Sequence, residues 1–146
     1  MSGTESSTCV LLPCSAGEYW ALPQSCLGEI VAVRAEGRQP PAQIDWRGLR
    51  LPVLNRWEGD GWSDPRSGTG LVAVLLPLSG EPGSCWGVAL GNQGPQLAAL
   101  QAGEIEELPA PGEDKVLAAF RRGGTVCRVP DLRAWETIMA ARGAAA

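Results

Sequence analysis

Short apolar runs broken by Gly, Pro and Ser predict an all-β domain, a barrel or a sandwich, closed by one C-terminal helix. Two observations carry this. The chain spends 19 Gly and 12 Pro on 146 residues, and they cut its apolar runs to strand length. A Gly pair between two such runs also marks a hairpin near the C-terminus. At 146 residues there is room for one domain, or for two very small barrels sharing a core. Hydrophobic residues at 45% and charged residues at 19% are the balance of an ordinary soluble fold.

The elements follow in order. Cys9-Val10-Leu11-Leu12 reads as a first strand, Ser15 to Glu18 as a turn, and Tyr19-Trp20-Ala21-Leu22 as the returning arm. Pro23 suits the start of a single helical turn running to Leu27, because its fixed φ is already helical. Ile30 to Arg34 is extended, Gly37 to Pro41 a loop, and Ile44-Asp45-Trp46 a short strand ending at the tight Arg47-Gly48 step. Leu49, Leu51 and Val53 alternate with Arg50, but Pro52 interrupts them, which predicts an edge strand or a bulge. Glu58 to Thr69 is the longest loop and is expected to be mobile. Leu71 to Leu78 is the strongest strand and reads as buried on both faces. Gly80 to Gly83 turns the chain into Cys85–Leu90, and Gln96–Leu100 and Glu104–Leu108 are weaker strands. Val116–Arg121 and Thr125–Val129 flank Gly123-Gly124 as a hairpin. Asp131 then caps a helix with Leu132, Trp135, Ile138 and Met139 on one face, ended by Gly143.

Composition excludes several function classes. There is no histidine, which removes the commonest general base and every histidine-containing metal site. A net charge of −4 argues against nucleic acid as a partner. Met1 to Thr8 has neither the basic start nor the apolar run of a signal peptide, and the longest apolar stretch is far short of the ~20 residues that span a bilayer. The expectation is a cytoplasmic protein without membrane insertion. Five cysteines, an odd number without C-x-x-C spacing, read as buried thiols rather than disulfides or metal ligands. No cofactor or metal is expected.

Candidate chemistry is sparse. Gly68-Thr69-Gly70-Leu71-Val72-Ala73 has the letters of a dinucleotide loop, but a strand, not a helix, is expected after it, so no helix terminus would meet a phosphate. Glu104, Glu106 and Glu107, with Glu113 and Asp114, would suit carboxylate hydrolysis only if held across a cleft; a solvated face is the simpler reading. No catalytic residue is assigned. Six tryptophans exceed the other aromatics three to one. Trp20, Trp86 and Trp135 fit a core, whereas Trp46, Trp57 and Trp62 lie near turns and are candidates for stacking on glycan or peptide. Glu29 and Arg47 each stand beside a Gly at a strand entry, either as a solvated surface pair or as a pair that sets the register of a docking partner.

Glu18-Tyr19-Trp20-Ala21-Leu22-Pro23, then Leu27-Gly28-Glu29-Ile30-Val31, then Arg47-Gly48 with Leu51-Pro52-Val53-Leu54, resemble the CheW-like domain of bacterial chemosensory adaptors. Val129-Pro130-Asp131-Leu132 fits the same pattern. Asp45-Trp46 replaces the common Asn-Leu before Arg-Gly, and the compact spacing looks more like the variants of type IV pilus clusters than the flagellar ones. The resemblance implies two intertwined SH3-like five-stranded barrels around one core, with a short C-terminal helix and no active site. It implies an adaptor that couples chemoreceptor cytoplasmic tips to a CheA-type histidine kinase and is monomeric outside the receptor array. Carried over by motif, the partner-binding residues are Leu27, Glu29, Trp46, Arg47 and Gly48. The expected organisation is a flexible tail over 1–8, the two-barrel domain over 9–142, and a tail over 143–146.

Overall fold

The computed structural model describes residues 6–15, 17–57, 62–91, 94–109, 112 and 115–145. The chain opens with β1 (Ser6–Ser15) and β2 (Glu18–Pro23), an antiparallel hairpin turning at Gly17, whose φ is 76°. Pro23 leads into one 3-10 turn, Gln24–Cys26, as its fixed φ allows. Then come β3 (Leu27–Arg34), β4 (Gln43–Trp46), β5 (Leu49–Leu54), β6 (Ser63–Asp64), β7 (Thr69–Leu75) and β8 (Trp86–Leu90). The last part holds β9 (Gln96–Gln101), a 3-10 turn (Ala102–Glu104), β10 (Ile105–Leu108), β11 (Val116–Arg122), β12 (Thr125–Pro130) and α1 (Leu132–Ala145).

Two curled sheets result, and the chain visits them in the order first, second, first. The first has the order β10-β11-β12-β2-β1-β9 and so joins both ends of the chain; the second has the order β3-β7-β8-β5-β4, with β6 paired to β7. Each contains one parallel pair, β12 with β2 and β5 with β8, because each is assembled from segments far apart in sequence. Glu18 and Arg128 pair across the parallel β2–β12 ladder. This is the expected all-β architecture of two intertwined half-barrels with a C-terminal helix.

The strands that look continuously apolar are those where the two half-barrels meet. Cys9 and Leu11 of β1 point into the first half-barrel, with Ala21, Ala98, Phe120 and Cys127. Val10 and Leu12 point the other way, into a shared core with Trp20, Leu22, Leu75, Trp86, Leu90 and Met139. Strand β7 divides in the same way: Val72 and Val74 enter the second half-barrel, and Ala73 and Leu75 the shared core. A strand between two cores needs apolar side chains on both faces, so its period of two vanishes from the sequence.

Several expectations are corrected. The strong strand stops at Leu75, and Leu76 and Leu78 are 39% and 51% exposed, because the chain leaves the sheet there. β5 is not an edge strand: it pairs with β4 on one side and β8 on the other. Pro52 is tolerated because Val53 N–H donates to Ala42 C=O on the β4 side. By alternation the Pro52 nitrogen faces β8, where the ladder begins only at Val53. Of the loop expected to be mobile over 58–69, residues 58–61 lie outside the described residues; the rest contains fully buried Trp62 and the pairing of β6 with β7. Asp131 caps α1, its Oδ1 accepting from Ala134 N–H at 3.2 Å. The helix continues through Gly143 to Ala145, since Gly143 does not take the positive φ of a helix-ending glycine and lies against Pro52 of β5. At the β11–β12 hairpin only Gly123 has positive φ, at 60°.

Candidate functional site

The β4–β5 hairpin turns on Arg47 and Gly48, between the paired Trp46 and Leu49. Both turn residues lie in the left-handed region, with φ of 49° and 78°. A two-residue hairpin loop of the I′ kind requires this of both. For Gly48 it is free; for Arg47 the missing alternative costs on the order of 1 kcal/mol. Asn-Gly would make the same turn more cheaply, so the arginine is explained by its contacts rather than by the turn.

Those contacts converge on Glu29 of β3. Glu29 Oε1 accepts from Trp46 Nε1 at 3.0 Å and from Arg47 NH2 at 3.4 Å. The Arg47 guanidinium also stands 4.8 Å from the centre of the Trp46 ring. β3 and β4 are the two outer strands of the second sheet, so these bonds close the second half-barrel with side chains where no backbone ladder runs. Glu29 sits where the β3–β7 register shifts, between Leu27 and Glu29. A bulge of this kind re-aims a side chain, here across the seam.

The cluster orients groups more than it stabilises the fold. The Arg47 and Glu29 side chains are 71% and 44% exposed, and an exposed pair contributes under about 1 kcal/mol. What it does is hold a guanidinium, an indole and a carboxylate in fixed relation at the surface. The constellation presents a positive charge, a flat aromatic face and a negative charge side by side at the surface.

The structure thus brings Glu29, Trp46, Arg47 and Gly48 together. Leu27 is two residues away on β3, half-buried and packed against the shared core. Beside it are residues that the sequence reading did not single out. Leu76 N–H donates to Cys26 C=O at 2.9 Å. A Cβ added to the exposed Gly28 would come within 3.0 Å of Leu76 Cδ2. The signal was present as an apolar run that outlasts its strand.

The other candidates disperse. Trp62 is 0% exposed, with Nε1 donating to Leu71 C=O at 2.8 Å, because its ring fills the second half-barrel. Trp57 is half-buried and donates to Ala89 C=O at 3.1 Å. Of the three loop tryptophans, Trp62 is therefore a core residue, whereas Trp46 and Trp57 are both half-buried. Glu104, Glu106 and Glu107 are exposed, Glu106 pairing with Arg121 at 3.3 Å; Glu113 and Asp114 lie outside the described residues. Gly68 to Ala73 runs from a turn into β7, with no helix. The five cysteines are free. Burial pushes the Cys14 thiol up to about 11, against the opposite pull of Arg56, whose NH1 lies 3.8 Å from the sulfur. Among the described residues no three His, Cys, Asp or Glu side chains gather to hold a metal, and no helix is long and apolar enough to cross a membrane.

No family model matches the sequence, and no curated protein matches it. Among solved structures, the scaffolding protein TtCheW from Thermoanaerobacter tengcongensis shares the fold, with a TM-score of 0.58 over 86% of this chain and 89% of that one, at 15% identity. The chain therefore has a CheW-like fold, with two intertwined half-barrels about a shared core.

Proposed function

We propose that this chain is a cytoplasmic chemosensory adaptor, a scaffold without catalytic activity that couples the cytoplasmic tips of chemoreceptors to a CheA-type histidine kinase. The observation that carries the reading is the Glu29–Trp46–Arg47 cluster, displayed on the fold that the scaffolding protein TtCheW also has. Arg47 and Glu29 set the partner's register, Trp46 supplies a half-buried apolar face, Gly48 permits the turn, and Leu27 backs the surface. The Trp46-Arg47-Gly48 form favours a kinase and receptor of a type IV pilus cluster, controlling twitching motility.

An adaptor of this kind transmits a signal only if its contacts differ in energy between the states of its partners. The coupling is then reciprocal: receptor state alters kinase affinity by the same factor as the kinase alters receptor affinity. A fold whose second half-barrel is closed at its seam by three side chains suits that task, because the relative placement of the contacts is preserved.

The test is co-purification of the full chain with a CheA-type kinase and a receptor-tip fragment, comparing wild type with Arg47→Glu. The charge reversal sets like charge against Glu29 and is expected to weaken kinase or receptor binding by about tenfold or more. The near-UV circular dichroism of the tryptophans should be unchanged. Equal binding by a folded Arg47→Glu variant overturns the assignment.

A further inference from the structure

The chain leaves β7 at Leu75, but the residues that follow are held at both ends. At the near end Leu76 N–H donates to Cys26 C=O at 2.9 Å, one bond beyond the last β3–β7 pair, Leu27 with Leu75. At the far end Glu136 of α1 uses both carboxylate oxygens. Its Oε2 accepts from Leu78 N–H at 3.1 Å and its Oε1 from Ser79 Oγ at 3.0 Å. Gly80 N–H donates to Pro77 C=O at 3.1 Å and closes a turn over residues 77–80. Glu136 is itself fixed, because Leu132, Trp135 and Met139 seat α1 on the shared core and Asp131 caps it. Segment 76–79 is therefore braced from the helix to β3.

Its near end rests on the residue that aims Glu29. The β3–β7 register passes from Leu27↔Leu75 to Glu29↔Val74, so Gly28 is the extra residue of the bulge. Gly28 does not have the positive φ that would itself require glycine. The missing Cβ instead makes room for what covers it: an added one would lie 3.0 Å from Leu76 Cδ2 and 3.2 Å from the Val74 carbonyl oxygen. A bulged residue is left out of the ladder, so the side chain laid over it fixes its position and the direction in which Glu29 leaves the strand. Glu29 then accepts from Trp46 Nε1 and Arg47 NH2.

We infer that segment 76–79 is a strut by which α1 sets the aim of Glu29, and that Glu136 and Leu76 are positioning residues of the Glu29–Trp46–Arg47 cluster. α1 follows β12 of the first sheet, whereas the cluster belongs to the second, so the strut ties it to the other half of the molecule. Coupling of this kind travels through side chains and hydrogen bonds in contact, and its proof is a change at one end felt at the other. The strut's effect on the cluster is independent of the adaptor reading, and its effect on docking rests on that reading.

The Trp46 indole N–H, bonded to Glu29, reports the cluster without any partner. In a nitrogen–proton correlation spectrum of the full chain its peak is identified by its loss in Trp46→Phe. Glu29→Gln then gives the direction in which the peak moves when that bond weakens. Glu136→Ala and, separately, Leu76→Ala are expected to move it in the same direction. The Trp62 peak, from an indole bonded to Leu71 C=O inside the second half-barrel, should stay in place. Glu136→Gln, which keeps one acceptor oxygen, should move the Trp46 peak less than Glu136→Ala. The double variant should move it less than the sum of the two singles, because both cut one series of contacts. Glu136→Ala should also weaken binding of the kinase or receptor-tip fragment by about threefold or more. Both positions are partly exposed, and a variant that fails to fold leaves the other to decide. A Trp46 peak that stays in place in the folded variants overturns the strut. A displaced peak with binding equal to wild type overturns its role in docking. A wild type that binds neither partner overturns the adaptor reading and that role with it, while the Trp46 peak still decides the strut.

Discussion

The two half-barrels solve the same packing problem with different materials. The second closes round one large ring: Trp62 is fully buried, its indole N–H is bonded to Leu71 C=O, and its face lies on Gly70. A Cβ at Gly70 would come within 2.4 Å of that ring. The first has no tryptophan inside and is filled by Cys9, Leu11, Ala21, Ala98, Phe120 and Cys127. In the second, side chains also stitch the seam between β3 and β4. A barrel packed round one rigid group is sensitive at that group and its glycine; one filled by many small groups spreads the cost.

The largest expected effect tests that difference directly. Trp62→Ala should cost about 5 kcal/mol and Phe120→Ala about 3 kcal/mol in urea unfolding, at the upper and lower ends for buried aromatics. An equal or larger loss at Phe120 would break the comparison. Next comes the shared core, probed by pH. Burial raises the Cys14 thiol from 9.0 to about 11, so between those values the folded state holds a proton that the unfolded state has lost. Cys14 therefore contributes stability that is full below about pH 9 and falls as pH rises towards 11, on the order of 2 kcal/mol. The stability–pH curve of Cys14→Ala should lack that decline, and parallel curves for the two proteins would show that Cys14 is not the group responsible.

Gly70→Ala is expected to cost about 2 kcal/mol by forcing the Trp62 ring aside. In a Trp62→Leu background most of that penalty should disappear, and additive losses in the double mutant would show that the ring is not what Gly70 accommodates. The smallest effect is at the seam. Glu29→Gln removes the charge from an exposed pair and should shift thermal unfolding by no more than ~0.5 kcal/mol. A substantially larger loss would make the cluster a structural clamp, against the docking role proposed for it.

Much of this architecture was legible from local chemistry. Gly17, Pro23, Arg47-Gly48 and Gly123-Gly124 marked turns because each supplies a backbone conformation that few other residues adopt cheaply. Asp131 marked a helix start because its carboxylate satisfies an otherwise unpaired N–H. Three readings went astray for one reason. Trp62 looked like a loop residue, Pro52 an edge marker and Leu76–Leu78 a continuing strand, because each depended on what lay across space rather than along the chain. The site divided likewise: Arg47-Gly48 announced its own turn, whereas the indole of Trp46 needed Glu29, 17 residues earlier, to acquire a partner.

By itself, the sequence determined where the chain turns, that the domain is all-β with one capped helix, and that histidine chemistry is absent. These depend on residue identity and on interactions within a few positions. Only the tertiary structure decided which of three cores each apolar side chain enters, that β5 is interior, and that two distant strands meet at Glu29. An apolar residue carries no label for its destination. That is assigned when the sheets curl and parallel pairs such as β2 with β12 bring together segments a hundred residues apart.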